Sequence, residues 1–113
     1  MDISSPLKPA VFHILLALAE HDAHGYAIMR AVREQSAGRV PLQTGSFYRH
    51  LSRLIGAGLV AEAPARKTPD DPRRGPSYRL TGRGRQVLAA EKQRLTELVA
   101  MMKGLRAAPK AEP

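Results

Sequence analysis

The chain has 113 residues, 18 of them Lys or Arg and 10 Asp or Glu, for a net charge of +8 and no cysteine. This length suits one domain with a modest core, and an apolar content of 43% is globular rather than disordered. The lack of cysteine excludes disulfides, thiol nucleophiles and cysteine metal sites, and the positive balance points to a polyanionic partner.

Met1 to Lys8 reads as a loose arm. It carries an early acid and no apolar run directly after it, so it does not read as a secretory signal. No apolar run approaches the roughly 18 residues of a membrane span, and a cytoplasmic location is expected. Pro9 suits the first turn of a helix, where its missing N–H does no harm. That helix is expected to run to about Glu20, with Val11, Ile14, Leu15 and Leu18 as its stripe and Phe12 and Leu16 widening it. The stretch 21–25 breaks the pattern. A second helix is expected from about Gly25 to Ala37, with Ile28, Met29 and Val32 inward and Arg30, Arg33 and Glu34 outward.

The third helix follows a turn at 38–43. Phe47, Leu51 and Leu54 recur at i, i+4 and i+7 and share an apolar face. Ser46, Tyr48, Arg49, Ser52 and Arg53 fall elsewhere on the cylinder, a polar, basic and aromatic set with no acid. Thr44 reads as the N-cap, and Gly56 and Gly58 as the C-terminal stop. Three short helices with tight connections make a helix-turn-helix, the third being the reader that can enter a major groove. An ordinary amphipathic surface helix would show the same stripe, so the segments that follow decide the reading.

After Gly58, residues 59–63 and 77–80 read as two strands of a hairpin. The 13-residue loop between them, 64–76, holds four of the nine prolines and the basic residues Arg66, Lys67, Arg73 and Arg74. A basic loop directly after a reader helix is the wing of a winged helix, placed to lie along a phosphate backbone or send an arginine into a minor groove. From Thr44 to Arg85 there are nine basic residues against three acids, so most of the net charge lies in this segment.

Thr81 is expected to cap a last helix over about 82–104. Leu88, Leu95, Leu98, Met102 and Leu105 are spaced 7, 3, 4 and 3, a heptad seam interrupted at Glu91 and broadened by Val99 and Met101. Such a seam offers more apolar face than so small a domain covers, which points to a homodimer through Leu88, Leu95, Leu98, Val99, Met102 and Leu105. Residues 107–113 form a Pro- and Ala-rich tail and are expected to be disordered. The expected organisation is therefore a flexible arm (1–8), a mainly α winged helix-turn-helix domain with a small β-hairpin (9–80), a dimerisation helix (81–106) and the tail.

Several pieces also match a known pattern in order: 14–18 (ILLAL), 24–29 (HGYAIM), 45–54 (GSFYRHLSRL), 58–60 (GLV) and 78–84 (YRLTGRG). On these pieces, which span about 95 of the residues, the chain resembles the PadR family of bacterial transcriptional regulators, in particular its short members with a single C-terminal helix. The resemblance implies a winged-helix domain, a C-terminal dimerisation helix and a repressor relieved by a small ligand. Carried over by position, it makes Tyr26, Ser46, Tyr48, Arg49 and Arg53 backbone or base contacts, with the wing at Arg66 to Arg74. The chain departs from the pattern at Ile55, where many members carry an acid. It has one C-terminal helix in place of an extended effector domain, so a ligand pocket would be small or lie between subunits. It also has no tryptophan on which flat ligands would stack.

The expected partners are therefore double-stranded DNA with a pseudo-palindromic operator, a second copy of the chain, and a small effector. Two other readings compete. His21, Asp22 and His24, joined by His13 or His50, would make a metal-responsive regulator, although their spacing matches no established metal site. A winged helix with a basic wing would alternatively dock on an acidic protein. An enzyme is not expected: there is no cysteine, no patterned carboxylate pair and no Gly-rich phosphate loop.

Overall fold

The computed structural model of the chain describes residues 6–63 and 75–106. Four helices and three strands follow in the order α1 (Pro9–Glu20), β1 (Ala23–His24), α2 (Gly25–Gln35), α3 (Thr44–Gly56), β2 (Val60–Ala63), β3 (Ser77–Leu80) and α4 (Gly82–Lys103). The fold is mainly helical, with a small antiparallel sheet in the order β1-β3-β2.

The apolar stripes meet in one core. Val11, Ile14, Leu15 and Leu18 of α1, Ile28 and Val32 of α2, and Phe47, Leu51 and Leu54 of α3 are all buried. Leu59, Val60, Tyr78 and Leu80 close the core from the hairpin side. Burying a side chain of this size contributes about 1.5–3 kcal/mol, so these positions fix how the three short helices sit.

The hairpin strands form as expected, Val60 pairing with Leu80 and Ala63 with Ser77. The sheet has a third member that the sequence pattern did not indicate. Ala23 and His24, read as a break between helices, pair with Tyr78 and Ser77 of β3. Two residues are too few to show a period; their conformation is set by a partner more than fifty residues away.

Helix ends account for the other differences. The second helix stops at Gln35 rather than Ala37, because Ala37 (φ 53°) and Gly38 (φ 76°) turn into the left-handed region. The Gly38 N–H then reaches back to the Arg33 carbonyl at 2.9 Å. α3 begins one residue earlier than expected: Thr44 lies inside it, and the cap position is Gln43, which makes no side-chain cap bond. At its other end Gly58 takes φ 78°. The Gly58 N–H bonds Ile55 and the Leu59 N–H bonds Leu54, each at 3.0 Å, the closing pair of a Schellman turn.

Thr81 caps α4 as expected and ties three elements together. Its hydroxyl accepts from the Gly84 N–H (3.0 Å) and donates to the Gly58 carbonyl (2.6 Å), while its own N–H reaches Leu59 (3.0 Å). The start of α4 is thereby fixed to the end of α3. No helix among the described residues is long and apolar enough to cross a membrane.

Candidate nucleic-acid interface

The buried face of α3 leaves Tyr48, Arg49, Ser52 and Arg53 exposed on the opposite side, with Ser46 half-buried at the flank. The Ser46 hydroxyl donates to the Gln43 carbonyl at 3.0 Å, which holds the first turn. No acid occurs anywhere along α3. Arg49 and Arg53 make no ion pair with any described residue.

Tyr48 connects this face to α2. Its ring meets Phe47 edge-on at 4.9 Å between centroids. Its hydroxyl lies against the α-carbon of Gly25, where an added Cβ would fall 2.7 Å from Oη. Gly25 therefore allows α2 to begin flush against the reader helix. Behind Tyr48, Tyr78 is buried, and its phenol is raised above the usual range by burial first, then by the Tyr48 phenol and Glu62 carboxylate. Tyr26, next along α2, projects outward with 72% of its surface exposed.

His50 flanks the same face. Its pKa lies below 6.5 through burial first, then through the positive charges of Arg53, Lys8 and Arg49. Lys8, at the end of the N-terminal arm, thus adds its charge to this side of the molecule, a contribution the sequence reading did not assign. The arm is held where it meets α1: Leu7 is buried, and its N–H donates to a Glu91 carboxylate oxygen at 2.8 Å. Glu91, the interruption of the heptad, is only 2% exposed and also accepts two bonds from Arg94. Its polar side chain interrupts the heptad and bonds Leu7 and Arg94 of the same chain.

The wing residues Arg66, Lys67, Arg73 and Arg74 lie outside the described residues. The tail at 107–113 does so as well.

The seam residues divide. Leu88 packs against the core, whereas Leu95, Leu98, Val99, Met101, Met102 and Leu105 are exposed on the single chain. An apolar groove of about 610 Å³ runs between α1 and this part of α4. Phe12 and Leu16 line it from α1, and Leu88, Leu95 and Val99 from α4, with Arg85, Lys92 and Lys103 also in its walls. Phe12 and Leu16, which widen the α1 stripe, thus serve the groove.

The histidines do not gather. His21 Nδ1 lies 3.2 Å from the Asp22 carbonyl, His24 Nδ1 lies 3.4 Å from the Pro76 carbonyl, and His13 contacts Gln35. Among the described residues no three His, Asp or Glu side chains are placed to hold a metal ion.

Three helices ending in α3, followed by the β2–β3 hairpin, define a winged helix-turn-helix, a fold of DNA-binding proteins. Residues 14–90 match the transcriptional regulator PadR-like family, and the chain belongs to it. It is similar to the crystal structure of a PadR family transcription regulator from Clostridium difficile, with 26% identity, a TM-score of 0.73, and 85% of this chain and 96% of that one covered. A PadR-like transcription factor from Bacteroides fragilis is 25% identical over 82% of this chain and 85% of that one, with a TM-score of 0.66. A PadR-like regulator from Bacillus cereus, at 20% identity, shares the fold with a TM-score of 0.72 over 88% of this chain and 92% of that one. Comparison with curated proteins yields no sequence match.

Proposed function

We propose that the chain is a homodimeric, sequence-specific DNA-binding regulator that acts as a cytoplasmic repressor released by a small ligand. The observation that carries this reading is the outward face of α3, where Tyr48, Arg49, Ser52 and Arg53 are exposed together without an acid among them. Ser46 and Tyr48 then contact phosphates, and Arg49 and Arg53 contact phosphates or guanine edges. Thr44 and Tyr26 are exposed at the starts of α3 and α2 and add contacts, as do Arg66, Lys67, Arg73 and Arg74 of the wing. The functional unit runs over 9–80, with 81–106 as the dimerisation helix.

The second copy covers the exposed half of α4 and the groove beside α1. A two-fold dimer presents two reader helices to successive major grooves roughly 34–36 Å apart, which calls for a pseudo-palindromic operator. The groove is an apolar recess on which an effector could act. An effector lodged there between subunits would change the spacing of the readers, and repression would be relieved in that way.

The test is an electrophoretic shift on the DNA upstream of the chain's own gene, with excess competitor, at two salt concentrations. A discrete, competitor-resistant band that weakens steeply with salt is expected. A competitor-sensitive smear, or a complex indifferent to salt, overturns the reading in favour of a protein-interaction module.

A further inference from the structure

We propose that Arg30 is a phosphate-binding residue of this protein and that the ring of Tyr26 is the platform that aims it. The assignment rests on the DNA-binding reading above and changes the part Tyr26 plays in it.

Tyr26, Arg30 and Arg33 stand at i, i+4 and i+7 on α2, one stripe on the side opposite the buried Ile28 and Val32. All three are exposed. The Arg30 guanidinium carbon lies over the Tyr26 ring at 5.7 Å from its centroid, within cation–π range. No described carboxylate forms an ion pair with Arg30 or Arg33, Glu34 of the same helix included.

A guanidinium held over a ring leaves N–H donors unspent. It is also held in one direction, so less side-chain freedom is lost when those donors meet an anion. A phosphate oxygen pair fits that fork.

The location agrees. Gly25, directly before Tyr26, carries the Tyr48 hydroxyl of the reader helix against its backbone. The Tyr26 end of the stripe therefore adjoins the face of α3, and Arg30 and Arg33 lead away from it along α2. In a helix-turn-helix the helix before the reader crosses the phosphate backbone, and on this chain the charged stripe of that helix is Tyr26–Arg30–Arg33.

The experiment compares Arg30→Ala, Arg30→Lys, Tyr26→Phe, Tyr26→Leu and the Tyr26→Leu/Arg30→Ala pair with the wild-type protein on one bound DNA fragment and on random DNA. Each is titrated across salt, with a thermal melt to show the fold intact. Arg30→Ala is expected to weaken binding about three- to tenfold on both DNAs and to lower the salt slope by about one. Arg30→Lys is expected to keep the slope, and Tyr26→Phe, which keeps the ring, to retain most of the affinity that Tyr26→Leu loses. Tyr26→Leu should lose affinity, and should lose nothing further once Arg30 is Ala.

An unchanged salt slope in Arg30→Ala overturns the assignment. A loss in Tyr26→Phe equal to that in Tyr26→Leu also overturns it, since the hydroxyl and not the ring would then be the contact. Wild-type protein that forms no salt-sensitive DNA complex overturns the DNA-binding reading itself and this assignment with it.

Discussion

The hydroxyl of Tyr48 and the α-carbon of Gly25 are in direct register: a methyl group at position 25 would lie 2.7 Å from Oη and 3.3 Å from the Phe47 ring. The start of α2 and the exposed tyrosine of α3 are thereby packed as one surface. Oη is the free end of a partly exposed side chain and can swing away, whereas Phe47 is fully buried and cannot. Gly25→Ala is therefore expected to cost about 1 kcal/mol, toward the low end for overpacking. Its larger effect should be on DNA affinity, because the phenol proposed as a phosphate contact would be displaced. Adding Tyr48→Phe should recover most of the lost melting temperature without recovering binding. Thermal melts and DNA titrations of the two single variants and the pair check both halves.

Gly84 presents the opposite case. A Cβ there would overlap the Leu59 carbonyl oxygen and stand 2.5 Å from Leu80 Cδ1. Backbone beneath Gly84 cannot rotate out of the way, and Thr81 ties the same turn to Gly58 and Leu59. Gly84→Ala is expected to destabilise by about 3 kcal/mol, the upper range for forcing a group into a packed contact. Gly82, two residues earlier, faces open space. Gly82→Ala should be neutral or stabilise by up to about 1 kcal/mol, through the unfolded chain. Urea unfolding of the two variants side by side gives the comparison.

These glycines show which parts of the molecule the sequence exposes to a reader. Periodicity named Phe47, Leu51 and Leu54 as a buried face, and all three are buried, because a helix of that length repeats its pattern three times. Thr81 was readable as a cap since capping is local chemistry. The strand at Ala23 and His24 was not, because its only reason to be extended is β3, far along the chain. Glu91 read as a flaw in a heptad for the same reason: its partner, the Leu7 N–H, is 84 residues away in sequence. Tyr26 and Arg30 are i, i+4 neighbours, so their adjacency was legible, but the stacking of one on the other depends on side-chain direction.

Two histidines are expected to make stability depend on pH. His13 and His50 are both held below 6.5, His13 by burial and His50 by burial and then by Arg53, Lys8 and Arg49. The native chain refuses protons that the unfolded chain accepts. Their contribution is therefore fully present above the unfolded value of about 6.5. It is lost as pH falls from there through the lower native values. Melting temperature is expected to decline between pH 7 and pH 5, and His50→Gln should flatten part of that decline. DNA phosphates beside His50 would favour its charged form, so binding should take up a proton and tighten as pH falls over the same range. A His50→Gln protein whose affinity keeps the full pH dependence would remove His50 from that role.

The exposed half of α4 predicts the oligomeric state most directly. Leu98 is 39% exposed and Leu105 68% exposed on the single chain, on a seam that continues through Leu95 and Met102. A contiguous stripe of this kind gains free energy when a second copy covers it. Covering Leu98 is worth about 2 kcal/mol per subunit, and a two-fold axis counts it twice. Leu98→Lys replaces that gain with an ammonium group from each subunit inside the proposed seam. The dimer should weaken by at least roughly a thousandfold, the equivalent of about 4 kcal/mol. Because Leu98 lies outside the core cluster, the monomer should keep its helix content. Sedimentation velocity across a concentration series, with circular dichroism on the same samples, separates the two effects. A dimer that persists in folded Leu98→Lys protein would place the subunit contact elsewhere, and a folded monomer would fix it on this face of α4.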